Sequence, residues 1–294
     1  MKEIAIIRIP MWYGRGKRGV EQSPALISAS LVKSKLHSAI VDTLDISIPE
    51  IPQTDLQTAK ALQLESIVKA NKNLAQRVAE QLEAKRLVLC IGGDHSIGIG
   101  SVSGSLQYDS NVGLIWYDAH GDMNTESTSP TGHIHGMPVA ALMGLCKSAL
   151  NDIPTRHIQP DNIFWIGARS LDNGEKKLME QKHLHVYSTD DIHQRGMKAV
   201  MEEVRELMKE RHIEHLHLSF DVDAFDPKLF PATGVKVPDG LDMKDFEQFI
   251  SILPSLPEMI AADIVEYNPL LDNEEHECLQ KTTYFAEKLS SVIK

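Results

Sequence analysis

The residues best placed to do chemistry lie in WYDAHGDMN, 116–124, where Asp118, His120 and Asp122 follow at two-residue intervals behind the apolar run 112–117. In an extended chain, side chains at i, i+2 and i+4 project to one side, so these three can converge on a cation. Two further segments end a β-like run in the same way. IGGDHS at 91–96 offers His95, and SFDVDAFDP at 219–227 offers Asp221 and Asp223. Each has a plain structural reading when taken singly: Asp94 suits a helix cap after a glycine turn, and Asp221, Asp223 and Asp226 before Pro227 suit a solvated turn. Three such junctions in one chain argue against surface charge. Two imidazoles and four carboxylates carry enough negative charge to neutralise two divalent cations. This oxygen-rich set suits Mn²⁺ better than a thiolate-preferring metal, while Zn²⁺ and Fe²⁺ also fit the ligand types. Two ions roughly 3.5 Å apart depress the pKa of a shared water and present hydroxide to an electrophilic carbon, so the implied chemistry is metal-assisted hydrolysis.

Positioning these groups requires strands that end together. Short β-branched runs alternate with longer amphipathic ones along the chain, the pattern of βαβ units and a parallel sheet. Strands are predicted at 4–9, 40–44, 87–91, 112–117, 163–166, 184–187, 215–220 and 259–265. Helices are predicted at 24–37, 58–84, 97–106, 135–146, 172–182, 196–212, 242–252 and 276–292. The Pro- and Gly-containing stretches 127–138 and 227–240 read as loops, since strand signals resume after each, and residues 1–294 read as one α/β domain. Ligands of an open parallel sheet bind outside the carboxyl ends of its strands. His95, the 118–122 triplet, Asp221 with Asp223, and Glu266 each follow a predicted strand.

Other features narrow the class. The formal charge of −11, from 30 basic and 41 acidic residues, argues against nucleic acid or an anionic membrane as partner and favours a small cation. Cys90, Cys146 and Cys278 form no C-x-x-C and leave one thiol over in any pairing, which points to a reduced, cytoplasmic protein. No signal peptide or membrane span is expected, because Arg8 interrupts the apolar N-terminal stretch and no apolar run approaches roughly 18 residues. Gly14-Arg-Gly16-Lys-Arg-Gly19 matches G-x-G-x-x-G, but its basic middle and Pro10-Met-Trp-Tyr13 before it suit a loop at the sheet's carboxyl edge better than a dinucleotide site. His215 and His217 lie well short of their strand end and read as packed, and Met197, Met201 and Met208 read as a core stripe. His133 and His135, by spacing alone, are loop histidines.

Taken together, IGGDHS, WYDAHGDMN, HIHGMP, SFDVDAFDP and DIVEYNP resemble the ureohydrolases, and the arginases most closely. The resemblance runs from GKRGVEQSP to the final helix, with five motifs in family order. It implies a three-layer αβα sandwich around an eight-stranded parallel sheet, two Mn²⁺ ions and a homo-oligomer, a trimer or hexamer. It implies His95, Asp118, His120, Asp122, Asp221 and Asp223 as metal ligands, with bridging carboxylates among Asp118, Asp122 and Asp221. Glu266 would hold a cationic guanidinium through charge-assisted hydrogen bonds, Asp122 would carry the proton to the leaving amine, and His135 would relay protons to solvent. Asn124, Thr131 and Asp172 stand where arginases bind the α-carboxylate and α-amino groups, with Glu175 nearby.

Three positions depart from the family pattern. His133, itself expected among the substrate-binding residues, stands where an asparagine is common, Ser170 where a second acid is usual, and Val235 where a threonine is usual. None of them belongs to the ligand set. The reading is therefore hydrolysis of a guanidino compound, with L-arginine giving L-ornithine and urea as the first expectation. Agmatine or a guanidino acid is the alternative substrate, and a non-catalytic relative is the alternative class. A two-metal phosphoesterase would need basic or amide groups to clamp phosphate, and none clusters with these motifs in the sequence.

Overall fold

A computed structural model describes residues 2–50 and 61–291. Eight strands, β1 (Ile4–Ile9), β2 (Ile40–Asp45), β3 (Leu87–Gly92), β4 (Gly113–Tyr117), β5 (Ile163–Ala168), β6 (His185–Ser188), β7 (His215–Asp221) and β8 (Glu258–Val265), form one sheet in the order β2-β1-β3-β8-β7-β4-β5-β6. Every pairing is parallel. The central strands are apolar almost throughout because both their faces are covered. On β3, Leu87, Leu89 and Ile91 face one apolar core while Val88 and Cys90 face the other.

Helices α1 (Ser23–Val32), α6 (Thr189–Arg195), α7 (Met197–Glu210), α8 (Met243–Ile252) and α9 (Glu277–Ser291) cover the first face. Helices α2 (Leu64–Glu83), α3 (Gly98–Tyr108), α4 (Pro138–Leu142) and α5 (Asn173–Lys182) cover the second. This is the expected αβα sandwich. Met197, Met201 and Met208 are buried in the core as read.

Each predicted strand is present, but the helices required corrections. The segment 24–37 stops being helical at Val32, and Ser34 Oγ accepts the Leu36 amide, a side-chain competitor for the helical ladder. The segment 135–146 contains only the five-residue α4, because Gly136 precedes it in a 3₁₀ turn and Gly144, at φ +76°, closes it. Helix α2 begins at Leu64, and the first residues of the predicted 58–84 helix lie outside the described residues. Helix α6 had no counterpart in the sequence reading.

The strand order brings distant motifs together. Along the chain the strands that precede the predicted site residues come as β3, β4, β7 and β8, yet in the sheet β3-β8-β7-β4 are consecutive. Four adjacent carboxyl ends therefore carry His95, Glu266, Asp221 with Asp223, and Asp118 to Asp122. The crossing of the β1 and β3 ends is tight: a Cβ on Gly93 would lie 1.7 Å from the Met11 carbonyl oxygen, so only glycine fits there.

Candidate active site

The six predicted ligands converge. His95 Nδ1 lies 2.9 Å from an Asp118 oxygen, 3.2 Å from Asp122 and 3.1 Å from Asp221. On the other side, His120 Nδ1 lies 3.1 Å from Asp223 and 3.3 Å from Asp118. Two ligand groups thus share Asp118: His95 with Asp118 and Asp122, and Asp118 with His120 and Asp223. The loops hold these carboxylates with backbone amides, His120 N on Asp118 at 2.7 Å, Asp223 N on Asp221 at 2.7 Å and Ala119 N on Asp223 at 3.3 Å. Trp116 Nε1 donates to the second Asp118 oxygen and its ring stacks on His95, centroids 4.1 Å apart.

The donor chemistry fits cations. Ser219 donates to Asp263 at 3.1 Å, so its oxygen accepts from His95 Nε2 at 2.9 Å. That assignment from the hydrogen-bond network leaves the Nδ1 lone pair facing the carboxylates. Nδ1 is buried and, despite its neighbours, forms a well-directed hydrogen bond to none of the described residues. Asp263 is fully buried and also accepts Ser101 at 2.7 Å, with His217 Nε2 at 3.2 Å. His217 is packed, as its register predicted. Asp263 was not singled out in the sequence, although a carboxylate inside the apolar run MIAADIV is a signal that it must be partnered.

The electrostatics of the protein groups alone point the same way. Burial, reinforced by Asp223 and Asp118, raises the Asp221 carboxyl well above its usual range, and burial pushes Asp223 up to about 6. Asp122 is raised by burial and by Asp118. Burial acts against charge on His95 and His120 too, but the surrounding carboxylates outweigh it and raise both imidazoles well above the ordinary value. Asp118, between two imidazoles that outweigh its burial, is depressed. Such crowding of like charge is costly unless protons or cations compensate it.

Asp122 and Glu266 have left-handed backbones, φ 51° and 65°. Elsewhere among the described non-glycine residues this conformation is found at Lys85, His183 and His212, which follow helices, at Gln63 and His276, which precede them, and at Asp239 in a loop. At Glu266 it turns the chain directly off the end of β8, and at Asp122 it turns the loop that follows β4, a cost of roughly 1–3 kcal/mol each that packing must offset. The Glu266 amide donates to Gly93 O at 2.8 Å, and its Oε1 accepts the His95 amide at 2.9 Å and lies 3.4 Å from His135 Nδ1. Burial disfavours charge on both groups, but each stabilises the other: the His135 imidazole is raised and the Glu266 carboxyl lowered.

Above this floor opens a cavity of about 260 Å³ lined by acidic and polar side chains. Asn124, Thr131, His133, His135, Asp172, Glu175, Ser170 and Val235 all reach it, together with Glu266 and every proposed ligand except the fully buried Asp118. Asn124 Nδ2 donates to Asp172 at 2.9 Å, and Asn124 Oδ1 accepts Thr128 Oγ1 at 3.0 Å. Thr131 Oγ1 accepts the His133 amide at 3.3 Å. Glu175 has both oxygens engaged, by Met123 N at 3.0 Å and Asp172 N at 2.9 Å, so it ties the 122–124 and 170–173 loops together. Burial pushes its carboxyl up to about 7.

One wall residue was missed. Arg15, in the loop after β1, lines the cavity, which corrects the expectation that no basic group clusters with the motifs. The sequence reading had placed 14–19 at the sheet's carboxyl edge, and the loop is there.

A fold, a buried two-lobed ligand cluster and a polar cavity above it now stand together, and comparison with known proteins gives them a family. The sequence model of the Arginase family matches residues 2–292. This chain belongs to the Arginase family. Arginase of Staphylococcus aureus (strain COL) is 35% identical, with 98% of each chain covered, and arginase of Bacillus caldovelox is 39% identical over 92% of this chain and 93% of that one. The crystal structure of Entamoeba histolytica arginase in complex with L-ornithine superimposes with a TM-score of 0.89 at 33% identity, covering 98% of both chains. The protein is accordingly a ureohydrolase-type enzyme that hydrolyses a guanidino carbon–nitrogen bond. Among the described residues no helix is long and apolar enough to cross a membrane.

Proposed function

We propose that this enzyme hydrolyses L-arginine to L-ornithine and urea with two Mn²⁺ ions held by His95, Asp118, His120, Asp122, Asp221 and Asp223. The observation that carries the reading is the cavity's polarity along its depth, with the ligand cluster and Glu266 at the floor and the Asn124–Asp172 pair in the wall. When bound, the cations supply Lewis acidity and make water nucleophilic at neutral pH.

The chain's own groups supply orientation and proton transfer. Glu266 is fixed through Oε1, while Oε2 accepts no hydrogen bond from the described residues, and it pairs with the planar guanidinium. As water's oxygen bonds to the guanidinium carbon, Asp122 accepts the proton. It returns the proton to the departing δ-nitrogen as the carbon–nitrogen bond breaks. His135, raised by Glu266 and reaching the cavity, exchanges protons with solvent. Asp172 faces the α-ammonium, and Asn124 and Thr131 face the α-carboxylate.

The experiment is urea release by Mn²⁺-loaded protein over a panel of guanidino compounds. A site that hydrogen-bonds a polar group rejects analogues lacking it by large factors, so L-arginine should exceed agmatine by at least about a hundredfold in kcat/KM. Faster hydrolysis of agmatine, or of a guanidino acid without the α-amino group, would overturn the substrate and leave the reaction class standing.

A further inference from the structure

Arg15 has no role in the reaction described so far, and its surroundings are unusual. Its Nη1 lies 3.3 Å from His133 Nδ1, and its Nε is buried without a hydrogen-bond partner among the described residues. It makes no ion pair with any described carboxylate, although the cavity it lines is otherwise rich in acids. The backbone beneath it is pinned. Arg15 N donates to Asp94 Oδ2 at 3.2 Å, and Gly14 O accepts the His135 amide at 3.2 Å. A Cβ on Gly14 would lie 2.4 Å from Asp94, so the loop sits against Asp94 with no space for a side chain there. The guanidinium is therefore delivered to the wall by backbone contacts that its own side chain does not make.

We propose that Arg15 and His133 together form a carboxylate clamp, which selects substrates carrying an anionic group at the end opposite the guanidinium. The inference rests on the hydrolase reading above and adds to Asn124 and Thr131 a charged partner for the carboxylate. Arg15 must donate to His133 Nδ1, which leaves Nε2–H of the imidazole as a second donor. Burial, with Arg15, His135 and Lys17 nearby, holds His133 below its ordinary pKa and so in the neutral form this arrangement needs. The remaining guanidinium N–H groups, the unpartnered Nε–H included, have a carboxylate's planar geometry as their complement. The cavity is then polarised: acids at the floor take a guanidinium, and a cation at the wall takes a carboxylate. Agmatine presents an ammonium, or nothing anionic, to that cation and is rejected by like charge as well as by a lost hydrogen bond.

The test is R15Q, which removes the charge and keeps the backbone contacts. With Mn²⁺-supplemented enzyme, the KM for L-arginine should rise about ten- to hundredfold, the size of a lost charge-assisted hydrogen bond, with kcat within about twofold. Agmatine kcat/KM should hold or rise. Equal losses on both substrates, or an unchanged KM for arginine, overturn the proposal. Calorimetry with L-ornithine and putrescine separates the clamp from the reaction. A wild-type preference for ornithine that collapses in R15Q supports the clamp whether or not urea is released. A preference that survives, or a wild type with none, overturns the clamp and leaves the hydrolase reading untouched.

Discussion

The floor and the wall of the cavity are built by different means. The floor comes from the ends of four adjacent strands, its carboxylates fixed by backbone amides and by an imidazole whose far nitrogen is anchored through Ser219 to Asp263. The wall comes from loops 14–19, 124–136 and 170–172 and the start of α5, with side-chain contacts such as Asn124–Asp172 and Arg15–His133 between them. All three departures from the family pattern, His133, Ser170 and Val235, line the cavity without belonging to the ligand set, although the Ser170 backbone pairs with that of His120. The contrast teaches where chemistry and selectivity reside. A strand end can be altered only by disturbing the sheet, whereas a loop side chain can be exchanged with little cost to the fold.

The sharpest break of this contrast is Asp122→Asn. It alters a proposed metal ligand that is also the proposed proton carrier, and proton transfer alone contributes roughly 10²–10⁴-fold. A kcat loss of about 10³ is expected, measured by urea release, and a variant retaining most of its kcat would remove the assigned role. Metal removal is the next largest effect. In metal-free protein the raised Asp223 carboxyl contributes stability that is lost as pH climbs from its ordinary 3.8 through about 6. The raised imidazoles contribute stability present below 6.5 and lost as pH rises through their higher folded values. Depressed Asp118 acts in the opposite sense, but only at acid pH below the ordinary carboxylate range. Metal-free Tm should therefore fall from about pH 5.5 to 8. The Tm gain on adding Mn²⁺ should widen over the same range, with about 4 kcal/mol per site at a thousandfold excess over Kd. Thermal melts with chelator and with Mn²⁺ decide it; a gap that narrows toward pH 8 contradicts the ligand assignment.

Wall substitutions should do less. His135→Asn should lower kcat by about tenfold, with partial recovery in imidazole buffer, since solvent-borne bases can take over a relay but not a ligand. A loss as large as that of Asp122→Asn would place His135 at the reacting atoms. The smallest effect is expected for Ser170→Asp, which adds a carboxylate beside Asp172 where the α-ammonium is proposed to lie. A partly exposed ion pair is worth about 0.2–1 kcal/mol, so KM for L-arginine should fall up to a few-fold with kcat unchanged. A rise in KM would show that Ser170 does not face the ammonium.

The same division decided what the sequence could disclose. The central strands are apolar runs between turn signals and the edge strand β2 alternates, so all eight could be read, and the residues at strand ends could be read with them. Helix α6 was overlooked because only Ile192 and Thr189 are buried in it. Its signal was the capping box, Ser188 and Asp191 bonding each other's backbone amides, rather than periodicity. Arg15 was overlooked for a different reason: no spacing links it to His133, 118 positions away. The packing of Gly14 against Asp94 and the His135 amide on Gly14 O bring them together, and those are properties of the folded backbone.

The sheet order also dictates when the enzyme can come into being. Strand β8 is the last described strand along the chain, yet it lies between β3 and β7, so β2-β1-β3 and β7-β4-β5-β6 remain separate half-sheets until it is inserted. Pairing of such high sequence separation is slow, and the halves expose their unpaired edges in the meantime. His95 belongs to one half and Asp118 to the other, so the ligand cluster closes only with that final strand. Capture of the proposed Mn²⁺ ions would thus report on completed folding. In pulse-labelling hydrogen exchange during refolding, protection of the β8 amides should appear in the same phase as Mn²⁺ uptake, and uptake ahead of that phase would show a site assembled before its sheet.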